Sequence, residues 1–202
     1  YIESKHLYII GTDMFHMEHN SYINYEQEVV IALLRGENHV RGMAKLLNTN
    51  HMTVSRILSG LRARNIVDWR QEGKNKVYFF KNGTESRTAI NIAENYKLAR
   101  TLEIYPQLRT IVEEIQKTKE IRLAILFGSY AKGIAKESSD IDVYIESEDQ
   151  SIRHKLKVLD ARVSVKLGKY DSNNILIKEI EKNHVIIKGV EEYYQKNVRF
   201  FG

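Results

Sequence analysis

The most informative part of this chain is a pair of short runs in its C-terminal half: Leu126-Phe127-Gly128-Ser129-Tyr130-Ala131-Lys132-Gly133 and then Ser139-Asp140-Ile141-Asp142-Val143. Residues 123–127 and 141–145 are apolar apart from one acid, and apolar runs of this length with polar flanks are typical of buried strands. The sequence therefore predicts a buried strand that ends in Gly-Ser, followed ten residues later by an Asp-x-Asp motif at the start of the next strand.

This spacing is suited to phosphoryl chemistry. Gly128 lets the backbone approach a triphosphate closely, and Ser129 offers a hydroxyl at the start of a predicted helix whose free N–H groups attract anions. Asp140 and Asp142 are two apart, so on one strand both side chains would lie on the same face. Paired carboxylates hold Mg²⁺ or Mn²⁺, which bridge phosphate oxygens. Lys132 is either a further phosphate contact or a residue of the helix surface.

Together these residues resemble the minimal nucleotidyltransferases of the DNA-polymerase-beta superfamily, over about residues 106–195. The resemblance implies a small α/β domain with a mixed sheet. It also implies that Asp140 and Asp142 are the catalytic metal ligands and that Gly128 and Ser129 contact the nucleotide. The implied cofactor is Mg²⁺ or Mn²⁺, with a nucleoside triphosphate as substrate or ligand.

One departure from that family concerns the third carboxylate, which catalytic members carry on the following strand. The predicted strand at residues 162–167 offers Ser164 or Lys166 where the acid is expected. Asp160 lies just before this strand and Asp171 just after it, and neither has the right place in the pattern. A lysine in the metal pocket would repel a second cation, which leaves catalytic turnover open.

The N-terminal half has a different pattern. Apolar residues at helical spacing predict three helices, at about residues 25–34, 40–47 and 51–64. Two β-rich stretches follow at 66–70 and 76–80, joined by a polar tip that contains Gly73. Asn65 is expected to adopt the left-handed conformation at the end of the third helix.

Three helices followed by a hairpin resemble a winged helix-turn-helix. In that family the third helix enters the major groove of double-stranded DNA. The resemblance implies that DNA is contacted by polar residues at the start of this helix and by cations near its end and on the hairpin: Asn50, His51, Thr53, Ser55, Arg56, Arg62, Arg64, Lys74 and Lys76. Residues 25–85 hold 10 Arg and Lys against 6 Asp and Glu, so they carry most of the chain's net charge of +5.

We therefore predict a two-domain α/β (α+β) protein. Its parts are an unassigned segment at 1–24, a winged helix-turn-helix at 25–84, a helical connector at 85–105 and a nucleotidyltransferase-like domain at 106–202. The connector, with Ala89, Ile92, Ala93, Tyr96 and Ala99 on one face, either joins two chains in a homodimer or packs within one chain. The pair His16 and His19 is only a weak metal motif.

The remaining composition excludes some classes of protein. The chain of 202 residues has no cysteine, which removes disulfides and thiolate chemistry and is compatible with a reducing, cytoplasmic location. No apolar run is long enough to predict a membrane span, and no signal peptide is evident.

Two functions are compatible with these patterns. The first is a DNA-binding enzyme that transfers a nucleoside monophosphate to a small molecule or to a protein hydroxyl, as in the antitoxins that modify HEPN-type toxins. The second is a transcriptional regulator whose transferase domain binds nucleotide without turnover.

Overall fold

The structure is a computed structural model that describes residues 23–36 and 38–197. The described residues form two compact units, which divide between Ala93 and Glu94. No helix in the described part of the chain is both long and apolar enough to cross a membrane. The pair His16 and His19 lies outside the described residues.

The first unit combines three helices with a small antiparallel sheet of order β1-β3-β2. Asparagine side chains cap two of the helices: Asn24 accepts backbone N–H groups at the start of α1, and Asn50 accepts the Thr53 N–H at 2.8 Å at the start of α3. Asn65 has a φ of 62°, as predicted, and turns the chain from α3 into β2. The elements are α1 (Tyr25–Leu34), β1 (Asn38–His39), α2 (Val40–Leu46), α3 (His51–Ala63), β2 (Val67–Glu72) and β3 (Asn75–Phe80).

The second unit is built on a four-stranded mixed sheet of order β6-β5-β4-β7, in which only β5 and β6 run parallel. Its elements include the second half of α4 (Thr84–Ile104), whose first half belongs to the first unit, and a 3-10 helix at Pro106–Leu108. The others are α5 (Arg109–Lys117), β4 (Ala124–Leu126), α6 (Gly128–Ala131), β5 (Ile141–Ile145), α7 (Gln150–Leu159), β6 (Val163–Leu167), α8 (Ile175–Lys182), β7 (Val185–Lys188) and α9 (Val190–Lys196).

One face of this sheet is the main apolar core. Ile141, Val143 and Ile145 alternate along β5 and are fully buried against α5 and α7. The opposite face carries Asp142 and Tyr144 on β5, and it is covered in part by aromatic residues. The Tyr144 ring packs edge-on against Tyr170 at 6.3 Å, and the Tyr144 hydroxyl donates to the Gly168 carbonyl at 2.9 Å. The sheet thus has a closed apolar face and a partly open polar one.

Helix α4 (Thr84–Ile104) corrects one detail of the sequence analysis. The predicted apolar stripe does not form one buried face, since Ala89 and Ala93 are buried whereas Ile92 is 52% exposed and Ala99 is also exposed. The buried face of the helix includes polar side chains that an apolar stripe does not anticipate: Ser86, Glu94, Lys97 and Thr101.

Glu94 and Lys97 belong to a buried polar cluster with residues from the end of the chain. The Lys97 ammonium lies 2.7 Å from Glu94 Oε2, and the Tyr194 hydroxyl donates to Glu94 Oε1 at 2.8 Å. Burial raises the pKa of Glu94, but the Lys97 ammonium and these hydrogen bonds outweigh it, so the pKa lies below its ordinary value. His184 is close enough to interact electrostatically with Glu94 and Lys97. We call Glu94, Lys97, His184 and Tyr194 the closed cluster.

Candidate functional site

The predicted turn after β4 exists and depends on glycine. Gly128 has a φ of +69°, a left-handed conformation that other residues adopt at a cost. A Cβ atom at this position would collide with the carboxylate of Asp142. The Phe127 N–H donates to the Asp142 carbonyl at 2.9 Å, so the turn is fixed directly against β5. The position of the Asp142 carboxylate therefore depends on glycine at residue 128.

The two acids differ in their surroundings. Asp142 is half-buried on β5, whereas Asp140 is exposed and precedes the strand, which begins at Ile141. The prediction that both lie on the strand is therefore wrong by one residue for Asp140, because the chain enters the sheet only with the buried Ile141. The carboxylates are nevertheless close enough that Asp140 affects the ionisation of Asp142.

The pKa of Asp142 is raised above its ordinary value. Burial is the largest cause and the Asp140 carboxylate adds to it, while a hydrogen bond with Ser164 and the ammonium of Lys166 act in the opposite direction. The Lys166 ammonium does not fully compensate a half-buried carboxylate beside a second carboxylate, since the pKa of Asp142 stays raised. This is an environment in which a bound cation is stabilising.

Strand β6 supplies the neighbours of Asp142. The parallel register pairs Asp142 with Ser164 and Tyr144 with Lys166, so Ser164 stands directly beside Asp142 on the open polar face. Neither nearby acid takes this place: Asp160 is bound to Arg162 at 2.7 Å, and Asp171 accepts the Asn173 N–H at 2.9 Å. Within the described ranges, no group of three or more His, Asp or Glu residues could hold a metal ion.

The donor set fits one hard divalent cation. Asp140 and Asp142 supply carboxylate oxygens, and such ions are often bound by one or two carboxylates together with substrate phosphates. A second cation does not fit, because Ser164 offers a neutral hydroxyl where a carboxylate would be needed and Lys166 brings positive charge.

The remaining predicted nucleotide contacts lie on and after α6. The helix that the Gly-Ser motif begins has only four residues, Gly128–Ala131. Ser129 is half-buried within it. Lys132 follows the helix, and its ammonium lies 4.0 Å from a carboxylate oxygen of Glu179 on α8. This ion pair favours the helix-surface interpretation of Lys132 in the absence of ligand.

In the first unit, the residues at the start of α3 have different surroundings. The side chain of Asn50 is engaged as the helix cap. His51 and Arg56 are exposed, and Thr53 and Ser55 are half-buried. Sequence reasoning missed Met52, an apolar side chain that is 67% exposed at the same end of the helix.

Two of the predicted cations meet on an aromatic residue of the hairpin. The Lys76 ammonium lies 4.1 Å from the centre of the Trp69 ring, and the Arg62 guanidinium lies 5.7 Å from it. Arg62 also pairs with Asp68 at 3.3 Å. Lys74 is exposed at the tip of the hairpin. Arg64 is bound to Glu26 at 2.7 Å, so its charge is partly neutralised.

Comparison with known proteins gives one match. Residues 109–193 match the family model described as "Polymerase beta, Nucleotidyltransferase". No curated protein and no solved structure matches the chain. The match runs from the start of α5 into α9 and includes the glycine turn and both acids. The family match, together with the Gly128–Asp142 turn, supports a nucleotidyltransferase-type domain in this part of the chain.

Proposed function

We propose that the second unit binds a nucleoside triphosphate with a divalent cation and transfers a nucleoside monophosphate to an acceptor hydroxyl. The observation that carries this proposal is the Gly128 turn, where only glycine leaves room for the Asp142 carboxylate. A side chain is excluded at the point where the backbone would approach the phosphates. The exposed Asp140 is close enough to the half-buried Asp142 to raise its pKa, so the two acids provide an excess of negative charge beside this turn.

In this proposal, the residues of the chain bind and orient the substrate. Asp140 and Asp142 would hold Mg²⁺ or Mn²⁺, which neutralises charge on the phosphate oxygens. Gly128 and Ser129 would contact the phosphates. The acceptor oxygen forms a bond to the α-phosphorus, the bond from that phosphorus to the bridging oxygen breaks, and pyrophosphate leaves. The acceptor proton passes to solvent or to the acceptor's own surroundings, since Ser164 is not a base at neutral pH.

Ser164 also supports the second candidate function, a regulator that binds nucleotide without turnover. A site without the third acid can still hold a nucleotide and one cation, yet it lacks a carboxylate to activate an acceptor. The two functions share the binding step and differ in whether a product forms. Labelled nucleoside monophosphate on a protein or small-molecule acceptor would decide for the enzyme.

Calorimetric titration with each nucleoside triphosphate, with and without Mg²⁺, tests the shared step. We expect Mg²⁺-dependent binding by the wild type and its loss in the Asp140→Ala, Asp142→Ala double variant. The matched control replaces Glu148 and Glu191 by Ala, which removes two exposed carboxylates elsewhere in the same unit. Equal binding by both double variants, or none by the wild type, would contradict the proposal.

We further propose that the first unit binds double-stranded DNA as a winged helix-turn-helix. Support comes from the exposed His51 and Arg56 at the start of α3 and from the exposed Lys74 on the hairpin. An Arg56→Ala, Lys74→Ala variant should bind a promoter fragment more weakly and with a smaller dependence on salt, by about one ion per lost phosphate contact. Lys45→Ala on α2 is the control. Failure of the wild type to shift DNA at low salt would end this proposal.

The acceptor and the partners are proposed from the resemblance. A protein hydroxyl on a HEPN-type toxin and a small molecule are the two acceptors to test. A homodimer through α4 has support from the exposed Ile92 and Ile104 on that helix, and analytical ultracentrifugation of an Ile92→Lys variant tests it.

A further inference from the structure

The open polar face of the sheet carries a lysine for which the proposed function has no role. Lys166 is on β6, two residues after Ser164, so both side chains project to the same face as Asp142. Lys166 is exposed, and its positive charge acts on the Asp142 carboxylate. This places an ammonium group at the edge of the proposed nucleotide site.

Lys166 makes no salt bridge with another described residue, although its charge acts on Asp142. Seven other lysines of the same unit do make salt bridges or hydrogen bonds. Those lysines are Lys97, Lys117, Lys132, Lys155, Lys182, Lys188 and Lys196. A lysine that stabilises no other element, beside two carboxylates and on an open face, is available to a ligand.

The charges favour an anionic ligand at this position. Asp140 and Asp142 provide two negative charges, and one divalent cation balances them. A triphosphate then adds several more negative charges, which call for another positive group. The Lys166 ammonium can supply this positive charge. A second metal ion is disfavoured, because Ser164 provides no negative charge to bind it and the ammonium of Lys166 repels it.

We propose that the site takes a nucleoside triphosphate with a single divalent cation, and that the Lys166 ammonium binds the phosphates in place of a second cation. The inference rests on the proposed nucleotide binding and deepens it. Lys166 is then a phosphate-binding residue. Asp142, Ser164 and Lys166, which lie on the same face of β5 and β6, together determine how many metal ions the site binds. A chain with an acid at position 164 and no lysine at 166 would take two.

The test counts metal ions directly. Electron paramagnetic resonance with Mn²⁺ and α,β-methylene nucleoside triphosphates gives the number of bound ions per bound nucleotide. Calorimetry on the same samples gives the nucleotide affinity. We expect one Mn²⁺ per nucleotide in the wild type and two in the Ser164→Asp, Lys166→Ala double variant.

The single Lys166→Ala variant should bind the analogue about tenfold or more weakly, because a charge-assisted contact is lost. Lys157→Ala, an exposed lysine on α7, is the control and should leave the affinity unchanged. Because Lys166 is exposed and unpaired among the described residues, the variant should fold, and its thermal unfolding checks this. Two Mn²⁺ per nucleotide in the wild type, or equal affinities for the two alanine variants, would overturn this inference alone. No nucleotide binding by the wild type would overturn the proposed function with it.

Discussion

The second unit holds two groups of acids whose surroundings differ in one respect. Glu94, in the closed cluster, is 1% exposed and yet keeps a pKa below its ordinary value, because Lys97 and Tyr194 satisfy its charge. Asp142 is much less buried and yet has a raised pKa, because burial and the second carboxylate at Asp140 outweigh its contacts. We call Asp140, Asp142, Ser164 and Lys166 the open cluster.

The opposite pKa shifts of Glu94 and Asp142 distinguish a structural acid from a ligand-binding one. Depth of burial does not distinguish them, since the more buried acid is the more stably ionised. What distinguishes them is whether the protein itself supplies the compensating charge. In the closed cluster, the Lys97 ammonium compensates the Glu94 charge without a ligand. The open cluster has an excess of negative charge that a cation would balance.

The largest expected effect is on the closed cluster. Glu94→Ala leaves the Lys97 ammonium buried and unpaired, and removal of one partner from a buried pair typically costs about 3–5 kcal/mol of unfolding free energy. Chemical denaturation measures this. Glu113→Ala removes an acid from an exposed pair with Lys117 and should cost under about 0.5 kcal/mol. Equal losses in the two variants would remove the contrast between the clusters.

A second effect of the closed cluster depends on pH. Burial and the Lys97 ammonium lower the pKa of His184 to about 4. The unfolded chain therefore binds a proton at higher pH than the folded chain, and stability falls as the pH drops from about 6.5 to about 4. The loss should reach roughly 2–3 kcal/mol over this window.

Denaturation curves at several pH values, recorded on wild type and His184→Gln, measure this loss. The variant should lose much of the slope between pH 6.5 and 4.5, with the fall below about 4.5 retained because it reports acids such as Glu94. His154→Gln, on the exposed side of α7, is the control. An unchanged slope in His184→Gln would show that His184 does not carry it.

Substitution of two glycines with similar backbones, only one of which contacts the open cluster, separates backbone strain from displacement of Asp142. Gly128 and Gly73 both have left-handed backbones, with φ of +69° and +56°, but a Cβ at Gly73 would meet no other atom. Replacement by Ala should cost each about 1–2 kcal/mol through backbone strain. Only Gly128→Ala should weaken nucleotide binding, by about 10- to 100-fold, because it displaces the Asp142 carboxylate. Calorimetry on both variants distinguishes strain from displacement, and equal nucleotide affinity would contradict the assigned role of Gly128.

The smallest expected effect comes from Ser164→Ala. This change removes the hydrogen bond to Asp142 and should cost under about 1 kcal/mol of stability. It should also raise the pKa of Asp142 further, since the bond to Ser164 favours the charged form. A carboxyl-carbon NMR titration of the metal-free protein measures this shift. A lowered pKa would mean that Ser164 does not stabilise the ionised acid.

Much of the secondary structure could be predicted because its causes are local. The predicted apolar run at 141–145 coincides with β5, since five consecutive residues with a single acid among apolar neighbours are typical of a buried strand, although the expectation that Asp140 shares this strand was wrong by one residue. The two-residue strand β1 and the helix α9 were not predicted. Strand β1 exists only through its pairing with β3, and α9 follows Gly189, which has a φ of +84° and where a Cβ would collide with the Arg122 backbone. Such contacts are distant in sequence and leave no local pattern.

The sequence by itself determined the glycine turn, the two acids and the absence of an acid at the third position, because each is a property of residue type and spacing. Only the tertiary structure decided which residue stands beside Asp142, since strand register depends on the whole sheet; it selects Ser164 and places Lys166 two residues further along. The fold also buries Glu94 and Lys97, an ordinary helical pair in sequence, as an ion pair. Charge compensation is a property of three-dimensional neighbours, and so the distinction between the open and the closed cluster belongs to the fold.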